Sequence, residues 1–65
     1  MNRTQLEAQF PIGTKVINLG CIEAYVKGYV DHVDGSCDLL LHEKRPDGKF
    51  KRSHWCADPA KCRVA

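Results

Sequence analysis

Two Asp-Gly turns, Asp34-Gly35 and Pro46-Asp47-Gly48, divide residues 25–56 into three segments of alternating apolar and polar side chains. That combination predicts three antiparallel strands joined by tight hairpins, because Gly supplies the positive φ such turns need. Taken as a two-residue loop, Asp34-Gly35 sets Val33 against Ser36, His32 against Cys37, Val30 against Leu39 and Gly28 against Leu41. In the second turn Pro46 presets φ, Asp47 caps and Gly48 takes φ > 0, which predicts a three-residue loop with a bulge. It pairs Arg45 with Lys49, Glu43 with Lys51, Leu41 with Ser53 and Leu39 with Trp55. The two registers agree. Val26, Val30, Leu39, Leu41 and Trp55 fall on one face, with Trp55 expected buried against Leu39. A slip of one residue at the second turn would turn Trp55 outward.

The chain has 65 residues, the size of one domain close to the lower limit for a stable core. A hydrophobic fraction of 43% with only three Pro argues against disorder. No apolar run approaches the roughly 18 residues of a membrane span, so no membrane association is expected. The start, Met1-Asn2-Arg3-Thr4-Gln5-Leu6-Glu7, lacks the apolar stretch of a secretory signal. Export is not expected, and in a cytoplasmic setting the four Cys read as thiols. The net charge of +2 is unevenly spread. Residues 1–41 sum to −2, whereas residues 42–54 sum to +3, around Lys44, Arg45, Lys49, Lys51 and Arg52.

Along the chain, Thr4-Gln5-Leu6-Glu7 matches a capping box with Thr4 as N-cap. Residues 1–9 should form a short helical turn whose Leu6 and Phe10 cover one end of a sheet, and Pro11 stops it. A first strand is expected over 14–19 with Val16 inward, and Ile17 and Leu19 partly covered by that turn or by a partner. Residues 20–23 read as a packed connection that buries Cys21. The second strand spans 24–33, with Gly28 at an inward bend. Asp58-Pro59-Ala60-Lys61 reads as a 3₁₀ turn, leading into a last short strand with Cys62 and Val64 inward. The fold class is therefore all-β: a small five-stranded barrel at 10–65 behind a short N-terminal helical turn.

This arrangement resembles the SH3-like, or Tudor-like, barrel. More narrowly, Phe10-Pro11-Ile12-Gly13-Thr14-Lys15-Val16, Gly28-Tyr29-Val30, Asp47-Gly48-Lys49 and Trp55 resemble a group of short SH3-like proteins of phages, prophages and other mobile elements. The resemblance covers about residues 10–64 and implies a fold rather than an activity. Cys56 and Cys62 stand where that group more often has apolar or acidic residues.

Metal binding needs converging ligands, and neither paired C-x₂-C nor C-x₂-C with H-x₃₋₅-H is present. The expected registers place Asp31, Asp38 and Cys56 in one row with His54 a step along, and His32 opposite Cys37; no zinc site and no cofactor is assigned. His32 and Cys37 offer proximity but no oxyanion donor, so no residue receives a catalytic role. The most informative surface is the outer face of the three strands. It is expected to carry the rows Lys27–His42–Arg52 and Tyr29–Leu40–His54, flanked by Tyr25 and Phe50. Cations beside aromatic side chains suit a protein interface or a stacking platform for single-stranded nucleic acid. Strong curling would instead make part of this face interior. The leading expectation is a non-catalytic binding module that engages a protein partner or forms a homo-oligomer. Nucleic-acid binding is the alternative, and an enzyme whose site forms between subunits is a third.

Overall fold

In the computed structural model, which describes residues 2–65, five antiparallel strands form one sheet preceded by a short helix. The elements are α1 (Arg3–Gln9), β1 (Lys15–Asn18), β2 (Ile22–Asp31), β3 (Cys37–Lys44), β4 (Phe50–Ala57), a 3₁₀ turn (Pro59–Lys61) and β5 (Cys62–Val64). The strands lie in the order β4-β3-β2-β1-β5. This leaves β4 and β5 as edges, so the sheet is not closed and the expected SH3-like barrel is not formed as a closed cylinder. No helix among the described residues is long and apolar enough to cross a membrane.

Both Asp-Gly turns close the same way. The His32 N–H bonds to the Ser36 carbonyl and the Arg45 N–H to the Lys49 carbonyl, around three-residue loops whose Gly35 and Gly48 sit at φ +88° and +89°. In each loop the Asp carboxylate accepts from a backbone N–H two residues on, Asp34 from Ser36 at 2.9 Å and Asp47 from Lys49 at 3.0 Å. The second turn matches expectation. The first is one residue longer, which shifts the register: Asp31 faces Cys37, Val30 faces Asp38, Tyr29 faces Leu39 and Gly28 faces Leu40. A bulge at Lys27 then sets Val26 against Leu41 and Tyr25 against His42. The bend therefore lies at Lys27, and Gly28 is not inward.

β4 is also offset. Lys44 faces Phe50, but His42 faces His54, so residues 51–53 oppose Glu43 alone. Beyond this step Leu41 pairs with Trp55 and Leu39 with Ala57. Trp55 keeps the inner face but is only half-buried, whereas Ala57 holds the buried place expected for Trp55. The irregularity and its Lys51 and Arg52 also blunt β4 as an edge.

The inner face buries Val16, Ala24, Val26, Cys37, Leu39, Leu41 and Ala57, and α1 adds Leu6 and Phe10. Val30, expected among them, turns to the other face opposite Asp38. The helix cap is Asn2 rather than Thr4: its Oδ1 accepts from Gln5 N–H at 2.9 Å, and Gln5 Oε1 accepts from Asn2 N–H at 3.2 Å. The 3₁₀ turn forms as expected, with Asp58 accepting from Ala60 N–H at 3.0 Å. Val64 shares the inner side with its partner Val16, as expected, but lies exposed on the edge strand, and Cys21 lies exposed on an open turn rather than in a packed connection.

Candidate binding face

Period two along β3 places Leu40, His42 and Lys44 on the outer face, away from buried Leu39 and Leu41. Pairing adds Tyr25 from β2 and His54 from β4 to His42, giving the row Tyr25–His42–His54. Phe50, first residue after the second turn, lies across this row. Its ring stacks on His42 with centroids 4.0 Å apart and planes within 4°, and it meets Tyr25 edge-on at 5.6 Å. Lys44 caps the cluster, its Nζ 5.2 Å from the Tyr25 ring centre and 5.6 Å from that of Phe50. Lys27, thrown outward by the bulge, brings its Nζ to 3.3 Å from His54 Nδ1. Phe50 remains 44% exposed, so the cluster presents apolar surface to solvent.

Electrostatics follow from this packing. Partial burial, then the nearby Lys27 and His54, push the His42 imidazole below its usual value, so it stacks on Phe50 as a neutral ring. Arg45 pairs with Asp47 at 3.2 Å and Lys51 with Glu43 at 3.8 Å. Lys27, Lys44, Lys49 and Arg52 have no carboxylate partner among the described residues. A groove of about 750 Å³ continues the face past Tyr25, with Ile17 and Ile22 as apolar lining, Lys44, Arg45 and Arg63 as cations, and Glu23 and Glu43 as carboxylates paired to Lys15 and Lys51.

The face thus unites Tyr25, Lys27, His42, Phe50 and His54, with Leu40 alongside, half-buried between Gly28 and Cys56. It excludes two expected members. Tyr29 lies on the inner side, packed against the core, with its hydroxyl donating to the Phe10 carbonyl at 2.7 Å. Arg52 is exposed within residues 51–53, outside the ladder, so the row Lys27–His42–Arg52 does not form. Lys44 is the member the expected set lacked, although its position two after His42 on an alternating strand marks it for this face.

The other expected constellations come apart. His32 bonds Asp38 through Nε2 at 2.8 Å, which raises its pKa, and does not face Cys37. Cys37 sits buried opposite Asp31, and both burial and that carboxylate push its thiol up, away from nucleophilic character. Asp31, Asp38 and Cys56 share no row. No group of three or more His, Cys, Asp or Glu is placed to hold a metal ion among the described residues. Comparison with protein-family models, curated proteins and solved structures gives no match for this chain.

Proposed function

We propose that the chain is a non-catalytic binding module whose outer sheet face takes an acidic segment of a partner protein. The observation that carries this reading is the half-exposed Tyr25–His42–Phe50 cluster flanked by Lys27 and Lys44, neither of them neutralised by a carboxylate among the described residues. Apolar anchors beside unpaired cations are the composition of an interface core with a charged rim.

A nucleobase platform is less well served. Stacking needs open ring faces, but His42 and Phe50 turn theirs on each other, Lys44 covers the Phe50–Tyr25 edge, and Tyr29 is withdrawn to the inner side. The test titrates the protein with a short peptide of Glu, Asp and Phe, and with a single-stranded oligonucleotide of equal charge. Peptide binding should be the tighter, and Phe50→Ala should weaken it by roughly tenfold at every salt concentration. Tighter, steeply salt-dependent oligonucleotide binding would reverse the assignment.

A further inference from the structure

Leu19 is the one non-glycine residue at positive φ (55°) among the described residues. It shares the turn after β1 with Gly20 (φ 76°), closed by the Cys21 N–H bonding to the Asn18 carbonyl at 3.2 Å. Gly or Asn would take this left-handed position without strain, whereas a bulky side chain there is an outlier. Its N–H is tied to the Lys61 carbonyl at 2.9 Å, which fixes the direction of the side chain. Yet Leu19 stays 59% exposed, so burial within the chain does not offset the strain.

This leucine forms one wall of a groove of about 440 Å³, with Ile22, Trp55 and Ala57 as the rest of its apolar lining. Its charged members are Glu43, which pairs with Lys51 at 3.8 Å, and Asp58 and Lys61, which have no ion-pair partner among the described residues. A two-fold interface joins a patch to itself, so the patch must carry both a feature and its complement. This one does. An apolar knob stands at the wall of an apolar groove, and an unpaired lysine shares that groove with the unpaired Asp58 carboxylate, which a rotated copy would bring opposite it. The cationic outer face fails the same criterion, since self-pairing there would oppose lysine to lysine.

We propose that two copies of the chain associate through this surface, each placing Leu19 in the Trp55 groove of the other, with Lys61 meeting the Asp58 carboxylate across the axis. The inference does not depend on the acidic-partner reading, because it uses different side chains. Trp55 is the chain's single tryptophan and so reports the groove directly.

Sedimentation of the full chain over a concentration series, with Trp55 emission recorded in parallel, tests it. The mass should rise from 7.3 kDa toward twice that value, with emission moving to shorter wavelength over the same range. Leu19→Gly, which suits the positive φ, should keep the circular dichroism spectrum while weakening association by more than about tenfold. Lys61→Glu should weaken it as well, without touching the knob. A monomer mass and constant emission up to about 1 mM would overturn the proposal. So would an assembly larger than two, or association of Leu19→Gly and Lys61→Glu as tight as that of the parent.

Discussion

The inner face of the sheet ends differently at its two ends. Where β2 finishes and β3 begins, α1 lies over the strands: Leu6 and Phe10 are buried, the Tyr29 hydroxyl is bonded to the Phe10 carbonyl, and Arg3 bridges Glu7 at 3.0 Å and Asp31 at 2.9 Å. Where β2 begins and β3 finishes, no helix among the described residues flanks the strands apart from the rim of the 3₁₀ turn, and Trp55, Ile22 and Leu19 line an open groove. The same two strands serve both ends. What differs is a seven-residue helix that supplies two apolar side chains and the tie to Tyr29. In a domain this small the sheet alone does not close its core; whatever covers each end completes it.

The largest expected effect follows from that contrast. Leu6→Ala should cost about 2–5 kcal/mol, as for other buried leucines, enough to unfold much of a marginal domain. Trp55→Ala should cost only about 1.5–2.5 kcal/mol, half the range for a fully buried ring, because one side of the indole faces the groove. Urea unfolding at low protein concentration compares them, and the contrast between the ends fails if the Trp55 variant proves the less stable.

A smaller effect isolates the tie. Tyr29→Phe keeps the ring on the core and removes the bond to the Phe10 carbonyl, a loss of about 0.5–1.5 kcal/mol. Hydrogen exchange should speed up in α1 while the amides of β1 remain as protected as before. Equal acceleration in both would mean that the helix is no separate cover.

The smallest effect is a difference in sign between two histidines. His32, near the covered end, is raised chiefly by its bond to Asp38, against desolvation, with the Asp38, Asp34 and Asp31 charges adding to the rise. Its contribution to stability is fully present below the ordinary value of 6.5 and is lost as pH rises through the raised value. His42, toward the open end, is lowered by desolvation and then by Lys27 and His54. Its neutral, stacked form supports the fold above 6.5, and that support is lost as pH falls toward the lowered value. Imidazole resonances followed by NMR should show His32 titrating above His42; the opposite order would rule out the Asp38 bond, and the desolvation with the Lys27 and His54 charges, as causes.

The strand order of the central hairpins, the second turn, the helix with Leu6 and Phe10 inward, and the 3₁₀ turn into β5 were all legible from residue types. The first turn was not, because Gly at positive φ serves two-residue and three-residue loops alike, so Asp34-Gly35 marks the place but not the length. The longer loop alone moved Tyr29 inward and Val30 outward, and the bulge at Lys27, which leaves no compositional mark, returned Val26 to the inner side and Tyr25 to the outer. The capping box was ambiguous for a similar reason: Asn2-x-x-Gln5 and Thr4-x-x-Glu7 both fit, and the earlier one caps. On the candidate face, Tyr25, Phe50 and His42 survived these shifts because β3 alternates cleanly, whereas Arg52 and Tyr29 depended on the registers that moved.

The step in β4 bears on how such a chain diverges. Residues 51–53 span the place of one partner, an excess of two, and an even excess returns every later side chain to its original side of the sheet. Trp55 therefore points inward with the step or without it. Descendants of this sequence are free to lengthen or shorten the edge strand by pairs of residues between Phe50 and His54, while a single insertion there would exchange Trp55 for His54 on the inner side. Length variation among relatives at this point should be even-numbered.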